Sequence, residues 1–306
     1  MSIRESIFGG YHEAETYKHM KSVWNDQVII YPQIPFACIL NIDTLNVTKN
    51  EREFLLKTSI DYTVCEKING KPLLCIEFDG MGHGYNRNGQ YIQVTPDTKR
   101  KWKLNMKLRI AQENHFPFYI ISYEEKKYLV EKIHLTVIDG IIGQTLSKLN
   151  FNDVLQEYVD DSRSIIDALD EHEKHDYIQD LVISAEVVSE IKWDPIVRKT
   201  GELDALLRKN NININKWGYR YLEKPELPEM KSFDDIETLQ KRIEKMKDVE
   251  WVGCEAYCET PKGIIYERAW IRNFEGDIAS PIVIVNNIVE LMLLYKVIFL
   301  FEIEMP

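Results

Sequence analysis

The chain has 306 residues, of which 44% are hydrophobic and 28% charged, the composition of a folded protein long enough for two domains. Its formal net charge of −11 excludes a surface that is basic throughout, so any contact with a phosphate backbone requires a local basic patch. Five scattered cysteines argue against a disulfide framework, and the N-terminus has no apolar run typical of a signal peptide. We therefore expect a cytoplasmic protein.

The first part of the chain alternates between helical and extended patterns. Apolar residues at helical spacing predict two helices, and apolar stretches bounded by turn residues predict four strands, two of them joined by the hairpin sequence Asn69-Gly70. The strand before this hairpin sequence alternates, the one after it has a continuous apolar run typical of a central strand, and two prolines restrict the first strand to an edge. In chain order, the predicted elements are helix His12–Trp24, strands Val28–Phe36, Ile60–Lys67 and Lys71–Gly80, helix Asp97–Asn114 and strand Phe116–Ser122.

The character of the sequence changes near residue 150, which predicts domains at 1–150 and 151–306. The second domain is expected to be α+β, with acidic helices over Asp153–Glu190 and two strands paired across the turn at Pro261–Gly263. The apolar segment Pro281–Phe301 contains charged residues that are costly inside a bilayer, so no membrane contact is expected. A short strand, Ile282–Val285, is predicted there, followed by a buried helix capped by Asn286 or Asn287.

Three acidic residues are predicted to converge at one edge of the sheet. Asp61 begins one strand of the hairpin, and Glu77 and Asp79 end the other with their side chains on the same face, because residues i and i+2 of a strand point to one side. Clustered carboxylates repel one another unless a cation lies among them, and Mg²⁺ prefers such oxygen ligands. The interpretation is a Mg²⁺ or Mn²⁺ site formed by Asp61, Glu77 and Asp79. Ordinary acidic strand ends, with a turn at Asp79-Gly80, are the alternative.

The next helix carries six basic residues and no acidic residue over Thr98–Ile110. Arg100, Lys103 and Lys107 share one face of it. A solvated helix face is the plain alternative, but such a face in an acidic protein would more often mix both signs. A basic stripe just after an acidic cluster suits phosphodiester hydrolysis, in which a metal ion generates the nucleophile and a basic side chain stabilises the transition state.

At these residues the sequence resembles the PD-(D/E)XK nuclease superfamily, and it looks most like the branch of very-short-patch repair endonucleases. The resemblance covers residues 12 to 123 through the phrases YPQIPF, IDYTVCEKINGKPLLCIEFDGMGH and DTKRKWKLNMKLRIAQENHFPFYIIS. It implies an α/β restriction-endonuclease-like core, in which helices flank a mixed central sheet. It also implies a metal-dependent endonuclease acting on DNA, more than on RNA, in repair, restriction or defence. Such nucleases often cut as dimers, so a homodimer is expected.

Carried over position by position, Asp61 and Glu77 match metal ligands and Asp79 matches the acid two positions on. The early helix of the superfamily often offers a glutamate, for which Glu13 is the choice and Glu15 the fallback. The basic helix would supply the catalytic cation from Arg100, Lys101 or Lys103. The complete set of predicted catalytic residues is Asp61, Glu77, Asp79, Lys101, Lys103 and Glu13.

His83 matches a histidine that follows the acidic pair in that branch, and the glycine-rich loop Gly80–Gln90 could touch nucleic acid through Tyr85, Asn86 and Arg87. A plain surface loop is an equal alternative. The residues predicted to bind nucleic acid are His83, Arg87, Lys99, Arg100, Lys103 and Lys107.

The superfamily usually has a lysine where this chain has Asp79. Either the lysine has moved to the basic helix, or the domain binds nucleic acid or a partner without cleaving it.

Overall fold

A computed structural model describes residues 6–79, 82–85, 91–93, 98–214, 216–222, 249–274 and 278–305. These residues form two compact units. The described parts of the first unit fall within Met1–Lys127, Lys224–Val252 and Ile271–Asp277, and the remainder belongs to the second. Residue 150, where the sequence predicts a domain boundary, lies inside one continuous helix, Val137–Asp161.

The first unit is built on a mixed four-stranded sheet with helices, which confirms the predicted α/β class. The sheet order is β1-β2-β3-β6, in which β1, β2 and β3 are antiparallel neighbours and β6 runs parallel to β3. A second, two-stranded sheet is formed by β4 and β5. In chain order, the elements are α1 (Tyr11–Trp24), β1 (Val28–Pro35), α2 (Lys49–Leu55), β2 (Ser59–Glu66), β3 (Pro72–Phe78), β4 (Gly82–Tyr85), β5 (Tyr91–Gln93), α3 (Thr98–Glu113) and β6 (Phe118–Ile121).

The four strands of the larger sheet occupy the positions that their sequences predict, whereas β4 and β5 were not predicted, and β4 lies in the glycine-rich segment 80–90 that was expected to be a loop. The two prolines of β1 are accommodated because β1 lies at the edge of the sheet, with β2 as its neighbour. Leu74, Cys75 and Ile76 of β3 are fully buried, as expected for a strand between two others. Gly70 has a φ of 73°, a left-handed conformation that the tight connection between β2 and β3 requires.

The helices of the first unit bury apolar stripes against the sheet elements. Met20 and Trp24 of α1 are fully buried, and α1 contacts β1. In α3, Leu104 and Leu108 are buried, and the helix contacts β5 and β6. The start of α2 is fixed by a capping box between Thr48 and Glu51, which satisfies two amides at the helix end.

The second unit combines helices with a three-stranded sheet ordered β7-β8-β9. The elements are α4 (Val137–Asp161), α5 (Arg163–Ile166), α6 (Glu171–Trp193), α7 (Pro195–Lys209), β7 (Lys216–Leu222), β8 (Trp251–Thr260), β9 (Gly263–Arg272) and α8 (Pro281–Leu300). The pairing of β8 with β9 was predicted, whereas β7, which runs antiparallel to β8, was not.

The prediction of a strand at Ile282–Val285 is wrong, because one helix runs without a break over Pro281–Leu300. Pro281 stands in its first turn, where a missing amide costs nothing, and Asn286 and Asn287 lie within the helix, so neither caps it. Its length and mean hydropathy of 2.0 are those of a membrane-crossing helix, but 50% of its most apolar window is buried inside the protein. It contacts α4 and α7, as a core helix does.

Candidate functional site

The first unit contains a cavity of about 450 Å³ where residues of α1, α2, β2, β3 and α3 meet. The acids Glu13, Asp61 and Glu77 all contribute to its wall. Four basic residues from one face of α3 line it as well: Lys99, Arg100, Lys103 and Lys107. The cavity therefore brings together the acidic strand ends and the basic helix that the sequence singled out separately.

Asp61 is held by two hydrogen bonds, one to each carboxylate oxygen. The backbone N–H of Phe78 donates to Oδ2 at 2.9 Å, and Nε2 of Gln33 donates to Oδ1 at 2.9 Å. Burial raises the pKa of Asp61, while these two hydrogen bonds act in the opposite direction because they favour the ionised form. The first bond joins β3 to β2 through the side chain, so the position of Asp61 is fixed relative to Glu77.

Gln33 has a backbone conformation that is rare for its residue type. Its φ is 56°, which costs a non-glycine residue about 1–3 kcal/mol. Its side chain is bonded at both ends, since Ser59 Oγ donates to Oε1 at 2.8 Å while Nε2 donates to Asp61. The strained residue thus orients the aspartate, a role that a single glutamine in YPQIPF did not signal in the sequence.

Glu77 and Lys107 form a buried ion pair in the cavity wall. Nζ of Lys107 lies 2.6 Å from Glu77 Oε1 and donates a second hydrogen bond of 2.8 Å to the carbonyl oxygen of Ser59. Burial raises the pKa of Glu77, and the charge of Lys107 opposes that rise. The other oxygen, Oε2, is buried and has no hydrogen-bond partner among the described residues. An unsatisfied buried carboxylate oxygen is costly unless something else binds it.

This placement of Lys107 differs from its predicted role as a contact to nucleic acid. The residue is only 4% exposed, because its side chain turns inward to Glu77, so it presents little charge at the protein surface. Lys107 is therefore in direct contact with an acid of the cavity wall, a position for which Arg100, Lys101 and Lys103 were the sequence-based candidates.

Asp79 is buried and forms an ion pair with a basic residue of α3. It is 1% exposed, its N–H donates to Ile121 at 2.8 Å, and Arg100 Nη2 lies 2.8 Å from its Oδ1. Asp79 is not among the described residues that line the cavity. Within the described part of the chain, no group of three histidine, cysteine, aspartate or glutamate side chains is arranged to hold a metal ion. Of the three predicted ligands, Asp61 and Glu77 line the cavity, and Asp79 forms an ion pair with Arg100, which lines it.

Glu13, the preferred candidate from the early helix, lines the cavity from α1. The N–H of Gly9 donates to its Oε2 at 2.7 Å. Burial raises the pKa of Glu13, and the neighbouring Asp61 adds to the rise. Glu15 instead accepts a hydrogen bond of 2.9 Å from Lys126, so the fallback candidate is engaged elsewhere.

The remaining predicted residues differ in whether they line the cavity. Lys99, Arg100 and Lys103 line the cavity, but Lys101 is exposed and is not among its described lining residues, so the structure does not bring it to the acids. The predicted contact of Tyr85 with nucleic acid is wrong, because its buried hydroxyl accepts a hydrogen bond of 2.8 Å from Ile120 in the core. Asn86, Arg87 and the side chain of His83 lie outside the described residues.

An aromatic pair beside the cavity was not anticipated from the sequence. Phe54 of α2 lines the cavity, and Trp102 of α3 packs against it with ring centroids 5.4 Å apart and planes at 65°. Nζ of Lys103 lies 5.6 Å from the centroid of the Phe54 ring. A tryptophan among basic residues at the start of a helix was the available signal.

Comparison with known proteins gives a match to one family model over part of the chain, and that match carries no activity. Residues 8–134 match a family model described as a protein of unknown function (DUF2726), which is less than half of the 306-residue chain. Comparison with curated proteins and with solved structures gave no match. The matched segment contains every described residue of the cavity wall, from Glu13 to Lys107.

Proposed function

We propose that the first unit is a metal-dependent endonuclease of the PD-(D/E)XK type, with a restriction-endonuclease-like core, that hydrolyses phosphodiester bonds in DNA. The observation that carries the proposal is the shared cavity. Asp61 and Glu77, from neighbouring strands, line it together with the buried Lys107 and the basic face of α3. If both strands of a duplex are cut, one site per chain requires two copies, so a homodimer belongs to the proposal.

Asp61 and Glu77 would hold the Mg²⁺ or Mn²⁺ ion, with water and substrate phosphate completing its ligands, and Glu13 lines the same cavity. Carboxylate oxygens suit a hard divalent cation, and Oε2 of Glu77, which is without a hydrogen-bond partner among the described residues, is the donor that such an ion would satisfy. Asp61 keeps a lone pair on each oxygen beyond the hydrogen bond that oxygen accepts. When bound, the ion would polarise the phosphoryl group and lower the pKa of a bound water.

The residues of the chain would bind and stabilise the substrate. Lys107, held by Glu77 and by the Ser59 carbonyl, offers a fixed positive charge where negative charge develops on the phosphoryl oxygens. It would take the role of the superfamily lysine that position 79 lacks. Lys99 and Lys103 would contact flanking phosphates at the cavity mouth.

A cleavage assay tests the proposal. The whole chain is incubated with plasmid, linear, single-stranded and branched DNA in Mg²⁺ or Mn²⁺, with EDTA as the negative control. We expect Asp61→Asn and Lys107→Met each to lower the rate at least ~100-fold, since even residues that only support metal ligands contribute about 10–100-fold. Glu124→Gln, which removes an exposed acid of the same unit, should leave the rate unchanged. Equal cleavage by all four proteins would refute the site.

A second candidate is a nuclease-fold module that binds nucleic acid or a partner without cleaving it. The observation that favours it is the ion pair of Asp79 with Arg100 at the position where the superfamily has its lysine. This candidate predicts salt-dependent binding of DNA and no cleavage in any metal. The cleavage assay, run beside a binding assay on the same protein, separates the two.

A further inference from the structure

We propose that the site accepts an unpaired nucleotide, in single-stranded DNA or a flap, whose base stacks on Trp102. The inference deepens the proposed nuclease function and rests on it. It is carried by one juxtaposition: an exposed indole, fixed against an aromatic residue of the cavity wall, lies within a run of basic side chains.

Trp102 is exposed although other apolar residues of α3 are buried. Its side chain is 46% accessible, whereas Leu104 and Met106 of the same helix are 5% and 4% accessible. An exposed indole forfeits the stabilisation that burial would give it, so it contributes little to the core. The edge-to-face contact with Phe54, at 5.4 Å between centroids, restrains the ring beside the cavity.

The charges around the indole are those that a nucleic-acid strand needs. Lys99 and Lys103 lie three residues before and one residue after Trp102, and both line the cavity. The first turn of α3 has no acidic residue, and the positive end of the helix dipole adds to the attraction for phosphate. Basic residues that follow a backbone, interleaved with an aromatic side chain for the bases, are the usual arrangement for binding single strands.

The shape of the site also favours an unpaired nucleotide. In a duplex the bases are already stacked inside the helix, so an indole on the protein surface cannot reach their faces without opening the pairs. The cavity, of about 450 Å³, has the size of sites that enclose a small molecule. In the proposed complex the phosphate of one nucleotide would lie toward Asp61 and Glu77, and its base would stack on Trp102, which packs against Phe54 of the cavity wall.

Binding measurements on the whole chain test the inference without cleavage. In an Asp61→Asn background with Mg²⁺, fluorescence anisotropy compares a labelled single strand, the duplex of the same sequence and an RNA strand. We expect the single DNA strand to bind more tightly than the duplex. Trp102→Ala should weaken single-strand binding about 10- to 100-fold, the usual effect of removing one stacking partner, and change duplex binding less than ~2-fold.

Two further variants serve as controls. Trp102→Phe keeps an aromatic face and should retain most of the affinity, which excludes a general folding defect. Tyr31→Ala removes another exposed aromatic of the same unit, 39% accessible in β1, and should bind as the parent does.

The inference is overturned if the duplex binds as tightly as the single strand, or if Trp102→Ala weakens both to the same extent. RNA bound as tightly as DNA would overturn the assignment to DNA. The proposed nuclease activity is tested separately. Selective single-strand binding without cleavage by the wild-type chain would refute the nuclease alone. Metal-dependent cleavage that Trp102→Ala leaves unchanged on every substrate would refute this inference alone.

Discussion

At the residue scale, Gln33 combines a left-handed backbone with a hydrogen bond to a proposed metal ligand. Gln33→Leu would remove the bonds to Asp61 and Ser59, and we expect Mn²⁺ affinity to fall about 10–100-fold, as when other residues that support metal ligands are lost.

Gln33→Gly should separate the effect of the backbone strain from the effect of the side-chain hydrogen bonds. It relieves the strained φ, which raises the free energy of unfolding by about 1 kcal/mol before the lost hydrogen bonds are counted, but it weakens Mn²⁺ binding like Gln33→Leu. Calorimetric titration measures the Mn²⁺ affinity, and urea unfolding measures the free energy of unfolding. Wild-type Mn²⁺ affinity in both variants would show that Gln33 does not orient Asp61.

The buried pair of Glu77 with Lys107 predicts a strong coupling in stability. Lys107→Met leaves a buried carboxyl without its cation, which should lower the free energy of unfolding by about 3–5 kcal/mol. Glu77→Gln in the same chain removes the acid as well and should recover most of that loss. Urea unfolding of the two single variants and the double variant gives the coupling energy. Additive effects would mean that the pair does not act as a unit.

The site could be predicted from the sequence only where a pattern carries information. Asp61 and Glu77 were found because acids interrupt an apolar alternation on neighbouring strands, and the pairing of β2 with β3 then brings them together. Gln33 and Phe54 were not found, because their roles depend on contacts between distant segments of the chain. The ion pair of Asp79 with Arg100 was not predicted, since strand periodicity gives the face of a side chain but not its ion-pair partner.

At the scale of elements, the same limit of sequence patterns explains why β3 was predicted correctly and the start of α8 was not. β3 was predicted because a hairpin sequence precedes it and the turn-type sequence Asp79-Gly80 follows it. α8 begins with an apolar run, Ile282–Val285, whose periodicity cannot distinguish a buried strand from a buried helix. The proline at the first turn and the length of the apolar segment favour a helix, and packing against α4 and α7 is what decides the outcome.

The junction of α6 with α7 predicts a pH-dependent stability. Asp194 is 1% exposed, and its Oδ1 accepts hydrogen bonds from the N–H groups of Ile196 and Val197. Burial raises the pKa of Asp194 from 3.8 to about 7, so the folded state holds a proton that the unfolded state releases. Its contribution to stability is therefore complete below pH ~4 and is lost as the pH rises toward ~7.

Asp194→Asn should remove this dependence while it keeps an oxygen to cap α7. Between pH 5 and 7 the free energy of unfolding of the wild type should fall relative to the variant by on the order of 1 kcal/mol per pH unit. Asp153→Asn, at an exposed position of α4, serves as the control and should follow the wild type. Parallel curves for wild type and Asp194→Asn, from urea unfolding at each pH, would contradict the prediction.

At the scale of the whole molecule, the formal charge of −11 opposes the binding of a polyanion, so the basic face of α3 must act locally. Lys99 and Lys101 test this, because they lie on the same helix and both are exposed, while only Lys99 is among the described residues of the cavity wall. Each substitution by glutamine makes the net charge more negative by one unit. Long-range repulsion therefore changes equally in the two variants, and only the local contact differs.

We expect Lys99→Gln to reduce the slope of log affinity for single-stranded DNA against log salt by about 0.7, the value for one lost phosphate contact, and Lys101→Gln to leave the slope near that of the wild type. Anisotropy titrations over a series of NaCl concentrations measure both slopes. An equal reduction of the slope in the two variants would mean that DNA is bound by the overall positive charge of α3 and not by a contact at the cavity wall. In that case a strand bound at α3 would not be directed to Asp61 and Glu77, and the basic helix would no longer support the proposed cleavage site.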